Sequence, residues 1–520
     1  MTSRASTRRI LSSPAKMLAH ASVGLCGLAF LTAVSTGDDA AGPSKADAPA
    51  GQERGAPKSD EAPTGFDNKT NGFEDQAAFK KDRETFEEVE TIGKGLGPVY
   101  NATSCVGCHQ NPVTGSSSQI SEIRAGRRTF DPDDPSPRKV RFEEPPGGSV
   151  IQQRAIDPAI QDVVRPEYDV RTFRISNTVL GNGFVEVIPD REILRVRNSQ
   201  RRWGMEGFAV VVPVPVEAKK GDDGKTEFVF VERLGRFGWK CQEASLLNFS
   251  AGAYLNEMGV TSPLQPVELT SNGRDVSKYD TVPDPEDKVV ADDDPSKTEH
   301  AFGSDVEAFT RFMRSTKASP RDPDLVARRD VIEGEALFRN NHALGCAVCH
   351  HPDYTTPKSG TAVLTLGGKR GSDMATVPDA LGGKVIHPYS DFLLHDVGTG
   401  DGVAQTQHAD LPARGQRHLQ KIPDELRTRE GIGRVDAGTE KDDRRTLKPD
   451  TGVDQRTSNK IRTAPLWGLR TRPQLMHDGL SLTIDDAIRR HKGQAEGVRL
   501  KYEALSNHQK TRLLAFLNSL

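Results

Sequence analysis

Aromatic side chains are scarce in this chain: 20 Phe, 7 Tyr and 3 Trp are spread over 520 residues. That supply is lean for building cores, and it suits a protein that wraps its interior around large apolar cofactors. A charge imbalance is lacking as well. Seventy Lys and Arg against 73 Asp and Glu leave a formal net charge of -3, which gives no general affinity for nucleic acid. Beyond the first 35 residues no apolar run is long enough to read as membrane-spanning. Cysteine is rare, with six residues, and their spacing argues against a disulfide framework. Cys26 lies in the N-terminal apolar stretch, Cys241 stands alone and is expected to be a buried free thiol, and the other four form two close pairs.

What is present has a clear order. Arg4, Arg8, Arg9 and Lys16 precede an apolar stretch from Met17 to Leu31, and Ala33-Val34-Ser35 resembles a cleavage site. Residues 1–35 therefore read as an export signal, with an uncleaved membrane tether as the competing reading. Leu25 before Cys26 argues against lipidation, which wants a small residue there. Residues 36–75 are rich in Ala, Gly, Pro, Ser and Asp and predict a flexible linker, because they cannot bury enough surface to offset ordering entropy. The β-prone runs Phe208–Val212 and Phe228–Val231 flank Gly221-Asp222-Asp223-Gly224 and predict a hairpin inserted among helices. Segment 270–300 is acidic and reads as a surface loop. Helical spacing returns from Ser304 to Phe338, and Leu513, Phe516, Leu517 and Leu520 keep the i, i+3, i+4, i+7 spacing of an amphipathic helix.

The chemistry is carried by Cys105-Val106-Gly107-Cys108-His109 and Cys346-Ala347-Val348-Cys349-His350. Two cysteines separated by two residues, with histidine directly after, read as c-type haem attachment. The thiols reach the two vinyl groups of one porphyrin, and His109 or His350 lies beneath the iron as proximal ligand. A zinc site or a redox dithiol is the alternative, but neither needs that histidine in both copies. After His109 no histidine appears until His300, so the first haem has no local imidazole for its far side. Met205, Met258 or a remote residue could supply that ligand; the economical reading is an iron left open to a small oxidant. The second unit offers His342, His351, His387, His395, His408, His418, His477, His491 and His508.

Further stretches carry a resemblance. Gly95-Leu96-Gly97-Pro98-Val99-Tyr100-Asn101 leads into the first motif. Ser176–Gly183, Gly235–Lys240, Leu394-His395-Asp396, Arg462–Gly468, Met476-His477-Asp478-Gly479 and His491-Lys492-Gly493-Gln494-Ala495 follow in order. Over about residues 85–520 the chain resembles the bacterial di-haem cytochrome c peroxidases and the di-haem enzyme that matures methylamine dehydrogenase. It looks most like their di-haem oxidoreductase, thiol-oxidoreductase-like, branch.

The resemblance implies a mainly α protein of two cytochrome c-like haem domains, 76–303 with a β-rich insertion and 304–520. It implies that His491, fourteen residues beyond His477, is the distal ligand of the C-terminal haem, where the peroxidases have Met and the maturation enzyme Tyr. Bis-imidazole ligation lacks the Met that raises a haem's potential, so a typical cytochrome c would be a poor donor. Trp239 falls between the haems as a relay, or else simply packs in its turn. Glu257 matches the acid over the open haem, at a shorter spacing from Trp239, and could move a proton between peroxide oxygens; the plainer reading is a solvated helix residue. Asn177, Thr471 and Pro473 match the ligands of a calcium ion.

The function so implied is periplasmic reduction of hydrogen peroxide, or another small oxidant, at the N-terminal haem. The electrons would come from a periplasmic donor protein through the C-terminal haem. A non-catalytic electron carrier and an oxidase of a protein or organic substrate are the rivals.

Overall fold

The computed structural model describes residues 60–130, 140–220, 226–287, 301–363, 376–406 and 453–520. The expected export signal, residues 36–59 of the expected linker, the Gly221–Gly224 turn, His408 and His418 lie outside the described residues.

Helix α1 (Gln76–Glu87) starts where the Asp75 carboxylate accepts from the Ala77 and Ala78 N–H groups, a side-chain N-cap that satisfies otherwise orphaned donors. Its Phe79 and Phe86 are buried. Strand β1 (Ser121–Phe130) then collects three antiparallel partners: β2 (Val140–Glu143), β3 (Val150–Ile151) and β4 (Val170–Ile175). The β1–β4 register runs from Ser121 opposite Ile175 to Gly126 opposite Val170. Helix α2 (Asp190–Gln200) leads to the predicted hairpin, β5 (Val211–Lys220) and β6 (Thr226–Leu234), with Val211 opposite Leu234. Val212, Val214, Val216 and Val231 form a buried cluster with Cys241, which is a free buried thiol donating to Phe392 O at 3.3 Å. Phe208 belongs to neither strand and bridges to Leu394 instead.

Helix α3 (Leu246–Ala253) runs into one π-helical turn, Tyr254–Met258, and is followed by α4 (Ser304–Ser315) and α5 (Arg329–Arg339). The chain closes with α6 (Ile484–Arg489), α7 (Glu496–Ala504) and α8 (Asn507–Leu517). A Ser506–Gln509 capping box starts α8, and Leu513, Phe516 and Leu517 are buried, as the apolar spacing predicts.

The helices fall into two groups. In the first, α4 packs on α1 and α3, with Phe312 stacked 5.5 Å from Phe79 and 4.7 Å from Phe86. Each such ring, fully buried, contributes about 1.5–3 kcal/mol. Thus α4, expected to open the second domain, shares its apolar face with the first. In the second group α5 and α8 cross at Gly334, where a Cβ would meet Arg512 O at 2.0 Å, and Phe338 packs 5.3 Å from Phe516. Residues 60–75, read as linker from composition, hydrogen-bond along these groups: Ala62 N to Val385 O, Gly65 N to Ala318 O, and Asn71 Nδ2 to Arg314 O. Polar backbone pairing holds this strap where little apolar surface is available.

The expected mainly α class does not hold: of the described residues 31% are helical and 18% are in strands. The unforeseen strands surround β1, where Glu122 and Arg124 share one face and the buried Ala125 and Gly126 are adjacent and small, so no apolar alternation marks it. Among the described residues no helix is long and apolar enough to cross a membrane.

A buried ion triad ties β4 to the segments that follow the hairpin. Asp401 accepts from Arg174 at 2.7 and 2.9 Å and pairs with Lys240 Nζ at 2.8 Å. Burial alone would raise Asp401, but Arg174 and Lys240 outweigh it and hold the carboxyl well below the usual range. Burial draws Lys240 down to about 8. Replacing one member strands two buried cations, so Asp401→Asn is expected to cost about 3–5 kcal/mol in denaturant unfolding; a loss below about 1 kcal/mol would show that the triad is dispensable.

Candidate functional site

Cys105–Gly107 form a single 3-10 turn. Glu90 N–H donates to Thr103 O just before it, and Asn101 and Ala102 N–H groups both donate to Glu257 O. The segment therefore lies directly against the π turn that ends α3. Gly97 and Gly259 permit this contact: a Cβ on Gly97 would stand 2.5 Å from Gly259 Cα, and Gly259 itself has φ +71°. Isolated π turns recur at functional sites, and here one sets Glu257 beside the first motif.

His109 is held from its far nitrogen. Its Nδ1 lies 3.0 Å from Ser116 O, the geometry of an N–H donated to a carbonyl, which leaves Nε2 free. Burial lowers its pKa, so the ring is neutral and suited to bind a metal. Ser176 Oγ donates to Cys108 O at 2.6 Å, fastening the motif to the end of β4.

Glu257 is partly buried and accepts from Asn101 Nδ2 at 3.0 Å. Its pKa is pushed up to about 8, first by burial and then by the Glu122 carboxylate. Burial acts upward on Glu122 too, but Arg124, 2.8 Å away, outweighs it and the net direction is down. One carboxyl of the pair therefore keeps a proton at neutral pH while the other stays ionised. Burial together with these two carboxylates raises the Cys108 thiol to about 12, which locates the acid pair on the first motif. Sequence reasoning missed Glu122 and Arg124. Their only local signal is the i, i+2 spacing that puts them on one face of β1.

The second motif is built differently. Cys346–Val348 form a 3-10 turn, His350 Nδ1 lies 3.2 Å from Tyr389 O, and His491 Nδ1 lies 2.8 Å from Ala487 O. Both rings thus keep the lone pair on Nε2, and their centroids lie 6.3 Å apart. With metal–nitrogen bonds of about 2 Å and roughly 1 Å from nitrogen to ring centre, two imidazoles sandwiching one iron would stand about 6 Å apart. The side chains fit a six-coordinate haem. Burial, then the neighbouring His491, lowers His350 to about 4, and burial lowers His491. Both are neutral.

A buried polar set surrounds Cys349. His395 Nε2 donates to Asp391 Oδ2 at 2.8 Å and its Nδ1 to Gln494 Oε1 at 2.8 Å, while Gln494 Nε2 donates to Glu206 O. With acceptors on both nitrogens the ring is an imidazolium. Burial opposes that charge, but Cys349 and Asp391 outweigh it. His395 Nδ1 and Met205 Sδ each lie 3.8 Å from Cys349 Sγ. Met205 therefore belongs to the second motif and not to the first haem, for which it had been a candidate ligand. Met258 is buried in the first core cluster.

Trp239 joins the two regions. Its Nε1 donates to Ile175 O at 2.8 Å, its carbonyl accepts from Arg462 N, and its ring meets His477 edge-on at 6.1 Å. The calcium expected from the resemblance would take the Asn177 side chain and the Thr471 and Pro473 carbonyls, and nothing among the described residues supports a cation there.

Removing the Glu122 charge should let Glu257 ionise more easily. In Glu122→Gln the Glu257 carboxyl band in infrared spectra is expected to disappear at lower pH than in the parent protein. In Arg124→Ala it should persist to higher pH. An unmoved band in both variants would separate the two carboxylates.

No curated protein matches the chain. Among solved structures, one chain of hydrazine synthase from Kuenenia stuttgartiensis, pressurised with 20 bar xenon, aligns at 19% identity over 42% of this chain and 56% of that one, with a TM-score of 0.22. The match spans little more than half of that chain, and a likeness so low carries no structural argument. The family described as "Di-haem oxidoreductase, putative peroxidase" matches residues 161–429, from just before β4 through the second motif and beyond. Just over half of its length being matched, the chain belongs to the di-haem oxidoreductase family.

Proposed function

We propose that this protein reduces hydrogen peroxide, or another small oxidant, at a haem attached to Cys105 and Cys108 and bound by His109. Electrons reach that haem from a second one held by Cys346, Cys349, His350 and His491. The carrying observation is the difference between the two sites: an imidazole faces His350 across 6.3 Å, whereas Glu257, held against the segment that leads into the His109 motif, has the Glu122 carboxylate as its neighbour. When bound, the haem iron supplies the redox chemistry and, at the open site, a place for the oxidant.

The chain's own residues do the rest. The carbonyls of Ser116, Tyr389 and Ala487 fix the tautomers of His109, His350 and His491 so that Nε2 carries the lone pair. Glu257 accepts a proton from the nearer peroxide oxygen and returns it to the departing one. Asn101 orients its Oε2, and Glu122 with Arg124 holds its pKa within reach of neutrality. The reaction balances as one peroxide, two electrons and two protons giving two waters. Trp239 offers the aromatic bridge between the segment fastened to Cys108 and the C-terminal segments. His350 and His491 would hold a haem at a lower potential than a Met ligand would, which suits a donor other than an ordinary cytochrome c. The charged, then apolar, N-terminus fits an exported protein that meets its donor in the periplasm.

The pH profile tests this reading. Below about pH 8 the raised Glu257 carboxyl holds its proton and above it the base form accumulates, so turnover at limiting peroxide should climb through that point. Glu257→Gln should lower kcat/KM roughly 10²–10⁴-fold and flatten the climb. A Glu257→Gln enzyme within about twofold of the parent, with the same profile, would remove Glu257 from the chemistry.

A further inference from the structure

Arg201–Trp203 form a short turn just after α2, and Gly204 then reverses the chain so that Met205 points inward. Trp203 is half-buried, between exposed Arg202 and Gly204. Its ring meets exposed His342 edge-on, with centroids 4.8 Å apart, and the Arg202 guanidinium lies 5.6 Å over its centroid. Two residues along, Met205 Sδ lies 3.8 Å from Cys349 Sγ. A surface indole is thus joined by a dipeptide of backbone and one short contact to the sulfur that anchors the second haem in the reading above. On the other side His342 lies four residues before Cys346.

A basic rim of arginines runs along the helix and turn that lead to this indole. Arg191, Arg195 and Arg201 have side chains 65%, 64% and 58% exposed, and Arg197 and Arg202 lie between or beside them. Glu192 is shared by Arg191 and Arg195, Glu206 by Arg197 and Arg201, and Asp190 is turned to the buried Arg236. Positive charge is left over. Buried redox centres do not need an exposed aromatic ring for their own stability, and packing alone does not call for an arginine-rich stretch leading up to one.

We propose that Trp203 is the electron port of the C-terminal site, and that the arginine rim docks a one-electron carrier protein whose redox centre sits in an acidic face. The inference rests on the proposed role of the second haem as the electron store. In each transfer the carrier loses one electron and the ferric haem gains it, by way of Trp203, Met205 and Cys349, with no proton moved. Steering by opposite charge speeds such encounters and fades as salt rises.

Reduced flavodoxin, a small acidic one-electron carrier, serves as the probe, with haem absorbance followed by stopped flow under anaerobic conditions. The parent protein should be reduced quickly at low salt and more slowly at high salt. Trp203→Phe and Met205→Leu should each lose rate with flavodoxin, yet be reduced by dithionite as fast as the parent, which also shows that the haem is seated. Arg201→Glu/Arg202→Glu should slow the low-salt reaction roughly tenfold or more and abolish its salt dependence. Parent-like rates with flavodoxin in Trp203→Phe and in the arginine variant would overturn the port, as would a parent protein that flavodoxin fails to reduce at any salt. Peroxide added afterwards separates the two claims: normal loading through Trp203 followed by no reoxidation would sink the peroxidase reading and leave the port standing.

Discussion

The spacing between His350 and His491 is the constraint on which the rest of this structure depends. Their rings are pinned from behind by Tyr389 O and Ala487 O, so neither can rotate to offer the other nitrogen, and 6.3 Å separates their centroids. A gap of that width has room for one metal and no other ligand. The elements that hold it are distant in sequence. Tyr389 packs on Phe338 and Phe516, while the His491–Gln494 segment is clasped to Asp396 and Val397 through Gln494 N and Lys492 N. The His109 motif differs from this pair, with Glu257 and Glu122 near it where the second motif has an imidazole.

The electrostatics of the two sites differ for the same reason. Around Cys349 the polar groups are saturated: His395 has an acceptor on each nitrogen, and Asp391 also receives Gln200 Nε2 at 2.6 Å. Such a network resists change in protonation and rigidifies its surroundings. Near Cys108 the two carboxylates compete for one arginine, so one proton remains available at neutral pH. Trp239 precedes Lys240 of the Arg174–Asp401–Lys240 triad and donates to Ile175 O beside Arg174, so it is held by groups paired deep in the protein.

Much of this was written locally in the chain and could be read there. The two five-residue motifs, the β5–β6 hairpin, the α8 stripe and the buried state of Cys241 depend on neighbours within a few residues. His491 and Glu257 came through family resemblance; His491 has its ring centroid 6.3 Å from that of His350, and Glu257 O accepts from Asn101 and Ala102 N–H. What escaped depends on distant pairing. Glu122 and Arg124 gain meaning only when β1 lies against β4, and Met205 touches Cys349 from 144 residues away. The mainly α expectation failed because β1 mixes charged residues with the adjacent small Ala125 and Gly126 and so lacks an apolar alternation. Helix α4 joined the first group because Phe309 and Phe312 complement Phe79 and Phe86, a match that no single segment displays.

The most direct test of the account is the low-temperature EPR spectrum of the fully oxidised protein, recorded before and after adding cyanide. The account predicts two signals, one low-spin and indifferent to cyanide, the other high-spin and converted by it, with His491→Ala turning the first into a ligand-accessible centre. Two low-spin signals that ignore cyanide would contradict it.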